Sequence, residues 1–396
     1  MIKTASPLQE SERLDWVDAA RGLAIFGIFM VNVPAFNAPY FLYGGQEIFW
    51  ASPLSHTIQN IIDIFFQASF YTLFSFMFGF GIQMMKDRLV EKGLSFRPII
   101  FRRLLVLTGF GLIHAFIIWH GDILLSYGML GLLLLAFFHT SPRTLLYWAY
   151  GMLAFLVLPL TFSLYMIRDQ LQGIVHRPAI EQALINYGNG NIFDIWRQNL
   201  NDWVYANQWG NLPFLALSLL PMFLFGMYIC RKRWLHEPGK HLPSIRKTWV
   251  FTGVLFLLFK ALPHLYGSPE WFQLAQDSIG GSASAVFYVL SITLLYRTSF
   301  GARIIHPLTW VGRMSLTNYI LQSMVSFILF YSVGFGLYGD VPPVGSVAIV
   351  VVFYSLQMFL SRIWLKQFRF GPLEWLWRTL TYGRRQPLKR RSKAVS

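Results

Sequence analysis

Ten apolar stretches divide this chain, and charged residues collect in the short gaps between them. They fall near 17–36, 58–85, 101–119, 122–138, 144–167, 213–230, 248–266, 279–296, 314–334 and 344–363. Each is about the length a helix needs to cross a hydrocarbon core of about 30 Å. Water cannot satisfy the backbone there, so each segment has to close its hydrogen bonds internally. The expected fold is all-α: a polytopic integral membrane bundle of about ten transmembrane helices. Composition agrees, with 13% charged and 55% hydrophobic residues, where a soluble domain carries roughly 25% charged.

The net charge of +15 would fit nucleic acid if its residues were spread over one surface. They are not. Of 33 Lys and Arg, 29 fall in alternate loops and at the two ends. Arg168, Arg177 and Arg197 share the long opposite connection, and Lys260 lies inside a span. The positive-inside rule then places both termini in the cytoplasm and the chain in a bacterial-type cytoplasmic (inner) membrane. Expected partners are membrane lipids, with no nucleic acid. Lys3 and Arg13 before Gly22–Phe36 resemble a signal peptide, but no cleavage site with a soluble domain follows, so an uncleaved first helix is expected.

The organisation expected is a transmembrane helical domain over 1–380, an external amphipathic loop at 168–212, and a basic cytoplasmic tail at 381–396. In that loop Ile192, Ile195, Trp196, Leu200, Trp203 and Val204 recur at helical spacing, with Trp209 beyond. The helix they predict either anchors at the outer interface or covers an outward-facing site. No repeat of 20–50 residues stands out.

Ionisable groups inside spans carry the most information, since each costs at least ~2.5–3.5 kcal/mol to bury. His114 lies eleven residues after Arg103, about 16 Å along a helix, close to the midplane. It is either a neutral histidine satisfied by a neighbouring helix or a base. Asp122, in the hairpin Trp119-His120-Gly121-Asp122, could orient an imidazole or cap the next helix. Arg21, Arg102 and Arg103 could bind a polyanion or simply obey the charge rule. Asp18 and Arg21 suit a local pair. Asn32, Asn37, Asp63, Gln67 and Gln322 suit interhelical hydrogen bonds. Pro372 should begin an interfacial helix with Glu374 near its positive end. With Cys230 alone, neither an intrachain disulfide nor a thiolate metal site can form, and no metal site is expected.

Several segments together resemble one family. Asp18-Ala-Ala-Arg-Gly22 leads to Val31-Asn32, and Arg102-Arg103 leads to Gly111-Leu-Ile-His114 and Trp119-His-Gly-Asp122. Gly312-Arg-Met-Ser-Leu-Thr-Asn-Tyr319 and Gly371-Pro-Leu-Glu-Trp-Leu-Trp-Arg378 follow. Their order is similar to that of the YeiB-like family of bacterial inner-membrane proteins. That family distantly resembles transmembrane acyltransferases, including heparan-glucosaminide acetyltransferase and the acyltransferase-3 enzymes. The resemblance implies transfer of an acyl group from a cytoplasmic acyl-CoA, as donor substrate, to an extracytoplasmic small-molecule or glycan acceptor. Arg21, Arg102 and Arg103 would then hold the donor, and His114 and Asp122 would be catalytic. Where the acyltransferase-3 opening has a histidine, this chain has Asn32, so His114 is the replacement base. The competing expectations are a transporter or flippase for a small metabolite or lipid, and a non-catalytic sensor or assembly partner. The oligomer considered is a homodimer.

Overall fold

The computed structural model describes residues 12–171, 173, 175–208 and 211–390. Trp209, Lys3 and the last six residues of the basic tail lie outside the described residues. No β-strand occurs among those described, apart from one isolated bridge between Phe368 and Lys389.

Among the described residues, eight helical runs are long and apolar enough to cross a membrane: Asp15–Asn37, Pro53–Glu91, Arg97–Ile118, Pro142–Met166, Pro213–Arg231, Leu242–Tyr266, Glu270–Leu295 and Pro343–Gln367. The shorter apolar helices Leu124–Ala136 and Ser315–Phe330 bring the number to the ten expected. The outward surface is apolar as well, with Tyr147 74% and Phe155 72% exposed. A protein dissolved in water rarely leaves such a belt uncovered. This is a membrane-embedded helical bundle.

Helices used below are α1 (Asp15–Asn37), α2 (Pro53–Phe65), α3 (Ser69–Glu91), α4 (Arg97–Ile113) and α5 (Leu124–Leu133). They continue with α6 (Pro142–Met166), α7 (Arg177–Gly188), α8 (Ile192–Ala206), α9 (Asn211–Arg231) and α10 (Leu242–Phe256). The last five are α11 (Gly281–Leu295), α12 (Ser299–Arg313), α13 (Ser315–Phe330), α14 (Pro343–Gln367) and α15 (Pro372–Tyr382). Local chemistry sets several starts. Ser52 and Ser141 accept from the backbone N–H groups of Ser55 and Thr144, each followed by a proline in the first helical turn. The single span expected at 58–85 is broken into α2 and α3 by Ala68, whose φ of 58° is left-handed.

Helix α1 is central and packs against α3, α12, α13 and α14. Small residues permit that closeness. A side chain at Gly22 would collide with the Leu308 carbonyl, and one at Gly312 with the Asp18 carbonyl. Gly79 and Gly226 play the same part between α3 and α9. The stretch 299–313, expected to be a connector, is instead the helix α12 lying along α1.

In the loop after α6, α8 forms where the spacing predicts it, opened by a capping box between Asn191 and Asp194. Its orientation is informative. Trp196, Leu200 and Val204 face outward, while Gln198, Asn199 and Asp202 are buried against the bundle. Asp202 repays that burial, accepting from Tyr43 Oη at 2.7 Å, Tyr187 Oη at 2.8 Å and Gln198 Nε2 at 2.6 Å.

Candidate active site between two cavities

Helix α4 does not end as an α-helix. From His114 to Ile118 it widens into a π-helix, a distortion that often marks functional sites because it turns a side chain out of register. Helix α8 holds this turn: Asn199 Nδ2 donates to the Ala115 carbonyl at 2.6 Å and Trp196 Nε1 to that of Ile117 at 3.1 Å. Gly111 lets the following α5 close tightly, since a β-carbon there would strike the Leu125 backbone. That brings Asp122 back beside His114.

His114 Nδ1 lies 2.8 Å from Asp122 Oδ1, and both side chains are 0% exposed. The contact is short but not aligned as a full hydrogen bond. Asp122 Oδ2 accepts from the Leu125 N–H at 2.5 Å. One carboxylate oxygen thus lies beside the imidazole and the other meets the backbone at the start of α5. On the other side of the ring, His114 Nε2 is 2.8 Å from Ser323 Oγ on α13. A carboxylate beside Nδ1 favours the proton on that nitrogen, leaving Nε2 to accept from the serine. Ser323, His114 and Asp122 thus form a buried chain in the order of a hydrolase triad. Ser323 was not anticipated.

Two cavities approach this chain from opposite ends. One opens at the basic end, with an empty volume of about 1490 Å³ counting its mouth, and is lined by Arg13, Arg21, Arg88, Arg103, Arg313 and Arg378. The carboxylates there are Asp18 and Glu374. Asp18 pairs with Arg13 at 2.6 Å and with Arg21 at 3.4 Å, so the local pair is shared with a second arginine. Helix α15 begins at Pro372 with Glu374 in its first turn, as expected, and Glu374 also caps α13. It accepts from Leu316 N at 2.6 Å, Thr317 N at 3.1 Å and Thr317 Oγ1 at 2.6 Å. Arg103 stacks on Trp377, 3.6 Å from the ring centre. Burial, with Arg13 adding to it, pulls the Arg378 guanidinium down to about 10. Like charges crowded this way are relieved by a bound anion. Arg102 is exposed, outside this lining, near Gly383.

The other cavity, about 1340 Å³ on the same measure, is lined by Asn32, Gln67, His120, Asp122, Ser126 and Asn207. The two share only Ile28, Ile123 and Tyr319. These three side chains form a thin wall, and the Tyr319 ring lies 5.0 Å from that of His114. Tyr319 is 3% exposed, and its hydroxyl faces the Ile123 backbone.

A second ionisable group inside the bundle is Lys260, which sequence reasoning counted but did not interpret. It sits in a π-helix, Leu257–Ala261, facing a second one, Gln276–Gly280. Its Nζ is 3.1 Å from Asp277 and 3.5 Å from Asp63, and Asp63 also meets His264 at 2.9 Å and Gln276 at 2.6 Å. Lys260 meets both carboxylates, and His264 and Gln276 hold Asp63 as well, so each polar group there has a partner. Of the other polar span residues, Asn37 donates to the Val341 carbonyl at 2.6 Å and Gln322 to Gln357 at 2.8 Å. No group of His, Cys, Asp and Glu suited to a metal ion occurs among the described residues.

These features define a polytopic membrane protein with polar chemistry buried at the meeting point of two cavities. The chain belongs to the YeiB-like family. Residues 229–384 match the family model described as "Protein of unknown function (DUF418)". "Uncharacterized protein YxaH" of Bacillus subtilis (strain 168) is 36% identical over 409 aligned positions, covering 99% of this chain and 100% of that one. "Uncharacterized protein YeiB" of Escherichia coli (strain K12) is 28% identical, covering 93% and 96%. An "Uncharacterized 39.9 kDa protein in amylase 3'region" of Bacillus acidopullulyticus is 28% identical, covering 98% and 99%. No solved structure matches. The family model includes Ser323 and begins after His114 and Asp122.

Proposed function

We propose that the protein transfers an acyl group from an acyl-CoA, bound at the basic and cytoplasmic end, to a small-molecule or glycan hydroxyl or amine in the opposite cavity. The observation that carries this reading is the His114–Asp122 contact behind the wall shared by the two cavities. Acyl transfer needs a proton removed as the nucleophile attacks, and an imidazole can take it at neutral pH. Asp122 would stabilise the imidazolium that forms. The excess of arginines over carboxylates fits a donor bearing several phosphates. Arg21-Gly22 adds its similarity to the acyltransferase-3 opening.

The test uses purified protein, acetyl-CoA and palmitoyl-CoA, and an acceptor panel of sugars and amines. His114→Ala should keep fold and donor binding but lose ~10²–10⁴-fold in acceptor-dependent thioester cleavage. Asp122→Asn should lose less. A histidine that only packs would give lower yield and normal turnover per folded molecule.

A second reading, a transporter for a small metabolite or lipid, draws on the same two cavities, because an occluded carrier also separates opposed openings by a thin wall. Substrate movement with no thioester cleavage would decide for it.

A further inference from the structure

The acyl-transfer reading leaves a geometric difficulty. Donor and acceptor cavities meet at three shared side chains, so a direct transfer would have to pass Ile28, Ile123 and Tyr319. The ring nitrogen meant to act as base is already occupied, since His114 Nε2 faces Ser323 Oγ at 2.8 Å. The serine's alternative partner, the Tyr319 carbonyl, is 3.4 Å away and weak. Ser323 is 2% exposed and His114 0%. In front of them stands Tyr319, one turn earlier on α13, lining both cavities with its ring 5.0 Å from that of His114.

We infer that Ser323 is the nucleophile and that the acyl group passes the wall as its ester, in two half-reactions. The proposal rests on the acyl-transfer reading and specifies its route. Tyr319 would swing aside for each half-reaction. In the first, Ser323 Oγ attacks the thioester carbonyl. Its proton goes to His114 Nε2, the new C–O bond forms, and the C–S bond breaks. The thiolate leaves and takes the proton from the imidazolium, giving free CoA thiol. In the second, an acceptor O–H or N–H attacks the serine ester from the other cavity and loses its proton to Nε2. The ester C–O bond breaks, and Ser323 recovers the proton. Asp122 stays anionic beside Nδ1 throughout. Nothing is oxidised or reduced.

Such a route has a signature that direct transfer lacks. Without acceptor, the full-length protein in detergent should exchange label between radioactive free CoA and unlabelled acetyl-CoA or palmitoyl-CoA. An acid quench with acyl-labelled donor should leave the label on the Ser323 peptide. The ester should survive neutral hydroxylamine, which strips thioesters and so excludes the one cysteine, Cys230. Ser323→Ala and His114→Gln should each lower exchange by at least ~10²-fold per folded molecule. Ser323→Cys should carry a hydroxylamine-labile label. If the wild type acylates an acceptor but shows neither exchange nor label on Ser323, the ester is wrong and the acyl-transfer reading stands. Exchange that persists in Ser323→Ala, or label confined to Cys230, also overturns the ester. If no thioester is cleaved with or without acceptor, the acyl-transfer reading fails and the ester with it.

Discussion

An alanine at position 312 would set its β-carbon against the Asp18 carbonyl oxygen, where α12 crosses α1. Backbone cannot retreat as a side chain can, so Gly312→Ala should destabilise by about 1–3 kcal/mol, read as a lower melting temperature in detergent. Gly109→Ala is the control. Nothing lies within 4 Å of a β-carbon there, and in a helix the change should be neutral or stabilising by up to ~1 kcal/mol. Gly109 stands in an apolar stretch and Gly312 beside Arg313 between two of them, and neither neighbourhood shows what a β-carbon would meet. Arginines divide in the same way. Arg103→Ala should weaken binding of CoA in a filter or calorimetric assay by more than the ~1 kcal/mol of a surface basic group near lipid, and Arg102→Ala should not. Their neighbouring numbers hide that one guanidinium stacks on Trp377 inside the cavity while the other is exposed. His114 and Asp122 were legible because one hairpin joins them. Ser323 was not, since a serine in an apolar helix looks the same whether it faces lipid or an imidazole.

At the scale of elements, α8 carries the clearest consequence. Asp202→Ala would leave the hydroxyls of Tyr43 and Tyr187 without their acceptor. An unpaired buried polar group costs about 1–3 kcal/mol. Helix α8 should then loosen, and limited proteolysis between 189 and 208 should speed up while the bundle melts at nearly the same temperature. Undiminished protection would mean that Ile195 and the capping box hold α8 without its polar face. The existence of this helix was readable from periodicity. Its orientation was not, because beside a membrane the apolar stripe can face outward and the polar face inward. The π-helices at His114, Lys260 and Asp277 were equally invisible. They arise from how helices lock together rather than from a residue pattern. Helix α12 was missed because its arginines suggested a loop.

For the whole molecule, the spans were the most legible feature, since hydrophobic length and charge position act on the chain before any tertiary contact exists. Orientation is the matching prediction. A reporter fused after Ser396 or inserted near Gly239 should label as cytoplasmic, and one near Gly190 as external. Reversed labelling at Gly190 would turn the basic cavity outward and rule out a cytoplasmic acyl-CoA as the proposed donor there. What pattern could not reveal was the pair of cavities, because their linings are drawn from helices far apart in sequence.

The wall of Ile28, Ile123 and Tyr319 also has an electrical consequence. With water in both cavities, the membrane voltage falls mainly across these three side chains instead of the full ~30 Å core. A charge that crosses the wall gains or loses about 2.3 kcal/mol per 100 mV, concentrated over a few ångströms. A proton arriving at His114 from one cavity and leaving to the other would traverse most of that drop, so the energised membrane would set a direction for the traffic through the wall.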